Sequence, residues 1–180
     1  MDRFRRPRRG FTLVEVLVAV TLAVALAGIA LPSFIDWIAA QRHVGHAQHL
    51  AWSFNHARSE AIKRGFHVNV CKSADRLSCT PAGRWDGGFL LFVDYNRDGN
   101  IDPDEPVLRI EGPAPGDVRV SANRPIADYV SYTTLGQARL LSGALQMGTF
   151  IVCSSGRNEI HVVLANSGRA RIDRTNVRCP

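Results

Sequence analysis

The chain changes its hydrophobic rhythm twice. From Val16 to Ile35, twenty residues pass without a single charge. At about 1.5 Å per residue, that run measures roughly 30 Å as a helix, the thickness of a bilayer core. Behind it the pattern turns amphipathic. Val44, Ala47, Leu50, Ala51, Phe54, Ala57, Ala61 and Ile62 recur at helical spacing. Lys63 and Arg64 suit a helix C-terminus, and Gly65 suits the position just beyond it. The pattern predicts one long helix from about Phe11 to Arg64, apolar on all sides in front and one-sided behind.

From Phe66 the period falls to two. Phe66-His67-Val68-Asn69-Val70-Cys71 alternates cleanly, and Gly88–Asp94 is an apolar run short enough for a buried strand. Further strands are expected at Pro106–Glu111, Val118–Ser121, Tyr129–Thr133, Thr149–Ser154, Glu159–Leu164 and Arg169–Asp173. Gly, Pro, Asn and Asp clusters separate them, with loops at 112–116 and 142–143. Many short strands at this spacing predict antiparallel sheets, hence an α+β protein. The part beyond the helix holds about 115 residues, enough for one compact domain. No internal repeat and no second domain is read.

Charge adds a topology. The chain has 180 residues and a net charge of +6. Arg3, Arg5, Arg6, Arg8 and Arg9, set against Asp2, supply four of those six charges just before the apolar run. Such an arm stays cytoplasmic while the rest is exported. Within the remainder, 86–105 is acidic (Asp86, Asp94, Asp98, Asp102, Asp104, Glu105 against Arg97). Residues 157–180 are basic, with Arg157, Arg169, Arg171, Arg174 and Arg178 against Glu159 and Asp173. The cysteines, Cys71, Cys79, Cys153 and Cys179, all fall in the exported part, where an even number reads as disulfides. Three pairings can be drawn. Cys71–Cys79, closing a short loop, and Cys153–Cys179, stapling the C-terminus, are favoured.

Glu15 breaks the apolar segment five residues after Gly10. A carboxylate at membrane depth costs several kcal/mol unless paired, and so marks a function. A secretory signal peptide fits poorly, because small Gly10 precedes the apolar run instead of following it. Gly10-Phe11-Thr12-Leu13-Val14-Glu15 resembles the processing site of type IV prepilins and type II secretion pseudopilins. The resemblance implies that a prepilin peptidase cuts after Gly10 and methylates Phe11. Glu15 then pairs with the terminal amine of a neighbouring subunit. Pro32 resembles the proline that kinks pilin stems. The expected organisation is a leader over 1–10, a transmembrane and polymerisation half of the helix over 11–37, an amphipathic half over 38–65, and a periplasmic β-rich domain over 66–180. The fold implied is pilin-like: the helix packs on an antiparallel β-sheet domain.

Within the superfamily, the order of features resembles the GspH/FimT minor pilins and pseudopilins. Residues 57–64 look like the end of their stem helix, and Trp85-x-x-Gly88-Phe89 followed by Asp94 looks like their central hairpin. Arg169 and Arg171 stand two apart, on one face of an expected strand. From the residues alone, they read either as a solvated edge that blocks aggregation or as contacts to spaced phosphates. Gly168-Arg169-Ala170-Arg171 resembles the DNA-binding motif of FimT-type minor pilins, which implies DNA binding without sequence preference, for uptake in natural transformation. Arg174 and Arg178 are included in that expected site. The alternative is a GspH-like pseudopilin of the type II secretion system, or an assembly-priming minor pilin without DNA binding. The partners implied are other pilins or pseudopilins, prepilin peptidase, the inner membrane and DNA.

Asp94 to Glu105 fits the calcium-loop pattern D-x-N-x-D-G-x5-E at every specified position. Its flanks read as strands where the pattern wants helices. The stretch is therefore read as an acidic turn in preference to a calcium site, and no metal or cofactor is assigned. His43, His46, His49 and His56 read as solvated helix residues without a carboxylate at ligand spacing. Trp52, Trp85, Tyr129 and Tyr132 read as core or sheet-face aromatics. No nucleophile paired with a base, no phosphate loop and no zinc-helix motif appears, so the protein is read as no enzyme.

Overall fold

The computed structural model describes residues 12–180. Helix α1 spans Leu13–Arg64 and continues through position 32. The chain divides into two compact units, Met1–Ala39 and Ala40–Pro180. In the first, Leu17, Val20, Val24, Leu31, Phe34 and Trp37 all stand exposed, and the helix is long and apolar enough to cross a membrane. The Thr21 hydroxyl in this run is satisfied internally: its Oγ1 donates to the Leu17 and Val18 carbonyls.

In the second unit the same helix buries one stripe. Ala47, Ala51, Ala57 and Ala61 let strands approach closely, while Leu50 and Phe54 fill the space between. Phe54 stacks on Phe150 at 4.6 Å and meets Trp85 edge-on at 5.7 Å. Eight strands surround this stripe: β1 (His67–Lys72), β2 (Phe89–Asp94), β3 (Val107–Glu111), β4 (Arg119–Ala122), β5 (Tyr129–Tyr132), β6 (Gly148–Cys153), β7 (Asn158–Leu164) and β8 (Ala170–Arg178). They form two four-stranded antiparallel sheets, in the orders β3-β2-β1-β5 and β4-β6-β7-β8. Val68, Val70, Leu91 and Val93 from the first sheet and Val120, Val152, Val162 and Leu164 from the second share the core with the helix.

The apolar run of β2 has a physical cause: both of its faces are covered. Phe89, Leu91 and Val93 face the helix. Leu90 and Phe92 face outward with Cys71, beneath Cys79, Ile101 and Tyr129. The first disulfide, Cys71–Cys79, belongs to this outer cover, and Cys153–Cys179 ties the C-terminus to β6.

Two features depart from the sequence reading. Trp85–Gly87 forms a short 3-10 turn that periodicity does not announce. It ties distant elements together: Trp85 Nε1 donates to the Ala127 carbonyl, Ala114 N to the Asp86 carbonyl, and Val120 N to Asp86 Oδ1. Strand β8 also runs on to Arg178, past the expected end at Asp173. A register shift opposite Asn158 and Ile160 absorbs the extra residues.

Candidate functional site

Gly10 and Phe11 lie outside the described residues. Glu15 stands in the first turn of α1 and is exposed. Thr12 Oγ1 accepts from Glu15 N at 3.3 Å, and Glu15 Oε2 accepts from Thr12 N at 3.5 Å. This reciprocal pair is a capping box, foreshadowed by the T-x-x-E spacing of Thr12 and Glu15. The sequence reading overlooked that local role.

The C-terminal arginines are arranged by the β7–β8 turn. Gly168 N donates to the Ala165 carbonyl at 2.8 Å, and Ala165 N to the Arg169 carbonyl at 3.0 Å, closing the turn. Gly168 has φ +81°, and a Cβ there would overlap the Gly136 carbonyl. Glycine is thus demanded by both conformation and space. The turn is also held from outside. Asn55, on α1, clamps the Ala170 backbone from both sides: Nδ2 donates to the carbonyl at 3.0 Å and Oδ1 accepts from the amide at 3.1 Å. Arg58 Nε donates to the Gly136 and Ser167 carbonyls.

Ala170 is buried, so Arg169 and Arg171 on either side of it both point to solvent. Arg171 forms an exposed pair with Asp173, Nη2 to Oδ2 at 3.2 Å. Arg174 does not join them. It lies opposite Ile160, in step with Ala170 and Ile172, and lines a groove with His43 and Val44 of the helix. Arg178 lies opposite Asn158, beyond the register shift and next to the Cys153–Cys179 bridge. Of the expected basic residues, the fold brings Arg169 and Arg171 onto one edge and sends Arg174 and Arg178 elsewhere. Asn55 and Arg58 complete the arrangement. No local signal pointed to them, since the Asn55–Ala170 contact spans 115 residues of sequence.

The helix histidines differ from expectation. His43 is buried, with Nε2 3.0 Å from the Val152 carbonyl. Burial holds His46 below the usual histidine range, assisted by neighbouring His49 and opposed by Asp86 and Glu111. His49 does have a carboxylate nearby after all, Glu111 of β3 at 3.5 Å. His49 and His56 each stack with Trp52, over which Arg109 sits 4.7 Å from the ring centre. Trp52 is half exposed and so is neither core nor sheet-face. Trp85 and Tyr132 are fully buried, as the sequence suggests.

Known proteins fit this architecture. The family described as Type II transport protein GspH matches residues 46–168, and the prokaryotic N-terminal methylation motif matches residues 5–31. The pilin-like protein PilA1 of Thermus thermophilus is 30% identical over 166 residues, spanning 92% of this chain and 99% of its own. Among solved structures, the type IV minor pilin FimU of Pseudomonas aeruginosa shares the fold. One crystal form gives a TM-score of 0.56 at 16% identity, over 73% of this chain and 90% of that one. A second crystal form gives 0.54, over 73% and 95%. A helix apolar in front and packed behind, carrying two antiparallel sheets and a methylation motif, has one consistent identity: the chain belongs to the GspH family of minor type IV pilins and pseudopilins.

Proposed function

We propose that the protein is a minor pilin that binds DNA without sequence preference through Arg169 and Arg171. In this reading prepilin peptidase cuts after Gly10 and methylates Phe11. The mature chain waits in the inner membrane with its C-terminal domain in the periplasm. Glu15 then leaves its capping box to pair with the terminal amine of a neighbour, because a buried carboxylate and a buried ammonium each need the other. In the filament the arginine edge takes up DNA for natural transformation.

The observation that carries the DNA reading is the presentation of the two guanidiniums. They stand two residues apart on an edge, roughly 6–7 Å along the strand, with the backbone between them clamped by Asn55. Rigid presentation lowers the entropy cost of holding two phosphates at once. Phosphate contacts carry no base information. The test is binding of the full-length protein, in detergent micelles, to duplexes of unrelated sequence. Equal affinity across sequences, lost in Arg169→Gln/Arg171→Gln, supports the reading. Binding that survives the double substitution sinks it.

One observation favours the second reading, a pseudopilin or assembly-priming subunit without DNA. Arg171 already has a carboxylate partner in Asp173, which halves the charge the edge offers. That reading expects no DNA binding by either form.

A further inference from the structure

The loop joining β2 to β3 contains two carboxylates that have been taken out of water. Asp94 is 1% exposed and Glu105 6%. They are the first and last positions of the twelve-residue pattern, and among the described residues neither has a basic side chain within ion-pair distance. Backbone amides alone serve them within the loop. Asp94 accepts from Arg97 N and Gly99 N, and Glu105 from Tyr95 N and Asp102 N. Burying two such charges without a counter-charge is costly, and proteins resolve this by pairing them or by binding a metal.

A second observation comes from outside the loop. Asn69 lies on β1, on the outer face of the first sheet that the loop covers. It is 1% exposed, and its Nδ2 donates to Asp94 Oδ2, which turns the amide onto the carboxylate. Its Oδ1 is fully buried and has no hydrogen-bond partner. An orphaned amide oxygen beside an uncompensated carboxylate is an unfilled acceptor site, and hard cations bind to such oxygens.

The loop itself is held for this geometry. Ile101, at the eighth position, packs on Leu90 and Phe92, fixing the loop to the sheet. Gly99, at the sixth, has φ +81°, the turn a calcium loop requires there. Strands in place of flanking helices, which argued against a cation from sequence, do not alter these internal features.

We propose that residues 94–105 bind a divalent cation of the calcium type. The ligand oxygens come from Asp94, Asn96, Asp98, the Asn100 carbonyl and Glu105, with Asn69 beneath. Among the described residues no three acidic, histidine or cysteine groups converge on one point unaided. The set relies on amide and carbonyl oxygens, and on exposed Asp98 turning inward. The bound ion neutralises Asp94 and Glu105 and locks the outer cover of the first sheet.

The experiment uses the full-length chain in detergent micelles, stripped with a chelator. Terbium serves as the probe, since Tyr95 at the second loop position sensitises its luminescence. Calcium is then titrated in as competitor. Expected are terbium luminescence, displacement by calcium with a midpoint between about 10⁻⁵ and 10⁻³ M, and a Tm about 3 °C higher in calcium than in chelator. Asp98→Asn, which keeps the exposed side chain's size and one acceptor oxygen, weakens displacement tenfold or more. The proposal is overturned if calcium leaves both luminescence and Tm unchanged. It is equally overturned if Asp98→Asn binds as tightly as the native chain.

Discussion

Two connections in this domain join antiparallel neighbours and carry most of its uneven charge, yet they handle that charge in opposite ways. In the β2–β3 loop the end carboxylates, Asp94 and Glu105, turn inward and organise the loop's own backbone amides. In the β7–β8 turn, Arg169 and Arg171 turn outward, and Asn55 of α1 and the fit of Gly168 against Gly136 hold the backbone instead. Charge that faces in is answered by amides within the molecule. Charge that faces out, on a backbone fixed by someone else's side chain, is available to a partner. Burial, more than net charge, separates these two connections.

The largest effect is expected where the inward charge is removed. Asp94→Ala leaves Arg97 N, Gly99 N and Asn69 Nδ2 without their acceptor, at a cost of about 3 kcal/mol. Denaturant unfolding followed by tryptophan fluorescence reads this directly. A variant as stable as the native chain means the loop is not organised from its first residue.

Next is the clamp on the outward side. Asn55→Ala removes two hydrogen bonds, costing about 2 kcal/mol, without changing any charge. Affinity for DNA then falls by about fivefold, equivalent to roughly 1 kcal/mol of lost preorganisation. Unchanged affinity means that the arginines work without a fixed backbone.

A smaller change sharpens the contrast. Asp173→Asn frees Arg171 from its exposed partner. Surface pairs are worth about 0.2–1 kcal/mol, so DNA affinity rises by about two- to threefold. A fall in affinity instead means that Asp173 positions Arg171 and does not compete for it.

The sequence rendered the elements better than their assembly. All eight strands were legible, because each alternates or runs apolar between turn residues. The change in the helix from all-apolar to one-sided was legible for the same reason. The division of strands into two sheets was not, since pairing is set by contacts such as Phe54 with Phe150 that no local window contains. The arginines were legible as residues and not as a site. Alternation separates Arg169 and Arg171 from Arg174 and Arg178, but only the fold shows that Arg174 lines a groove with His43 and that Arg178 lies beyond the register shift. His43 misled for a related reason: a polar residue on a helix reads as solvated until the strand carbonyl that satisfies it is known.

The salt dependence of DNA binding by the full-length protein tests the central claim most directly. Each phosphate contact contributes about 0.9 to the slope of log K against log salt on duplex DNA. Arg169→Gln/Arg171→Gln is expected to bind more weakly at every salt concentration, with a slope shallower by about 1.8. Arg174→Gln should leave the slope within about 0.3 of the native value, well under one phosphate contact. A double variant with the native affinity and slope, or a native protein that binds no DNA, would contradict that claim.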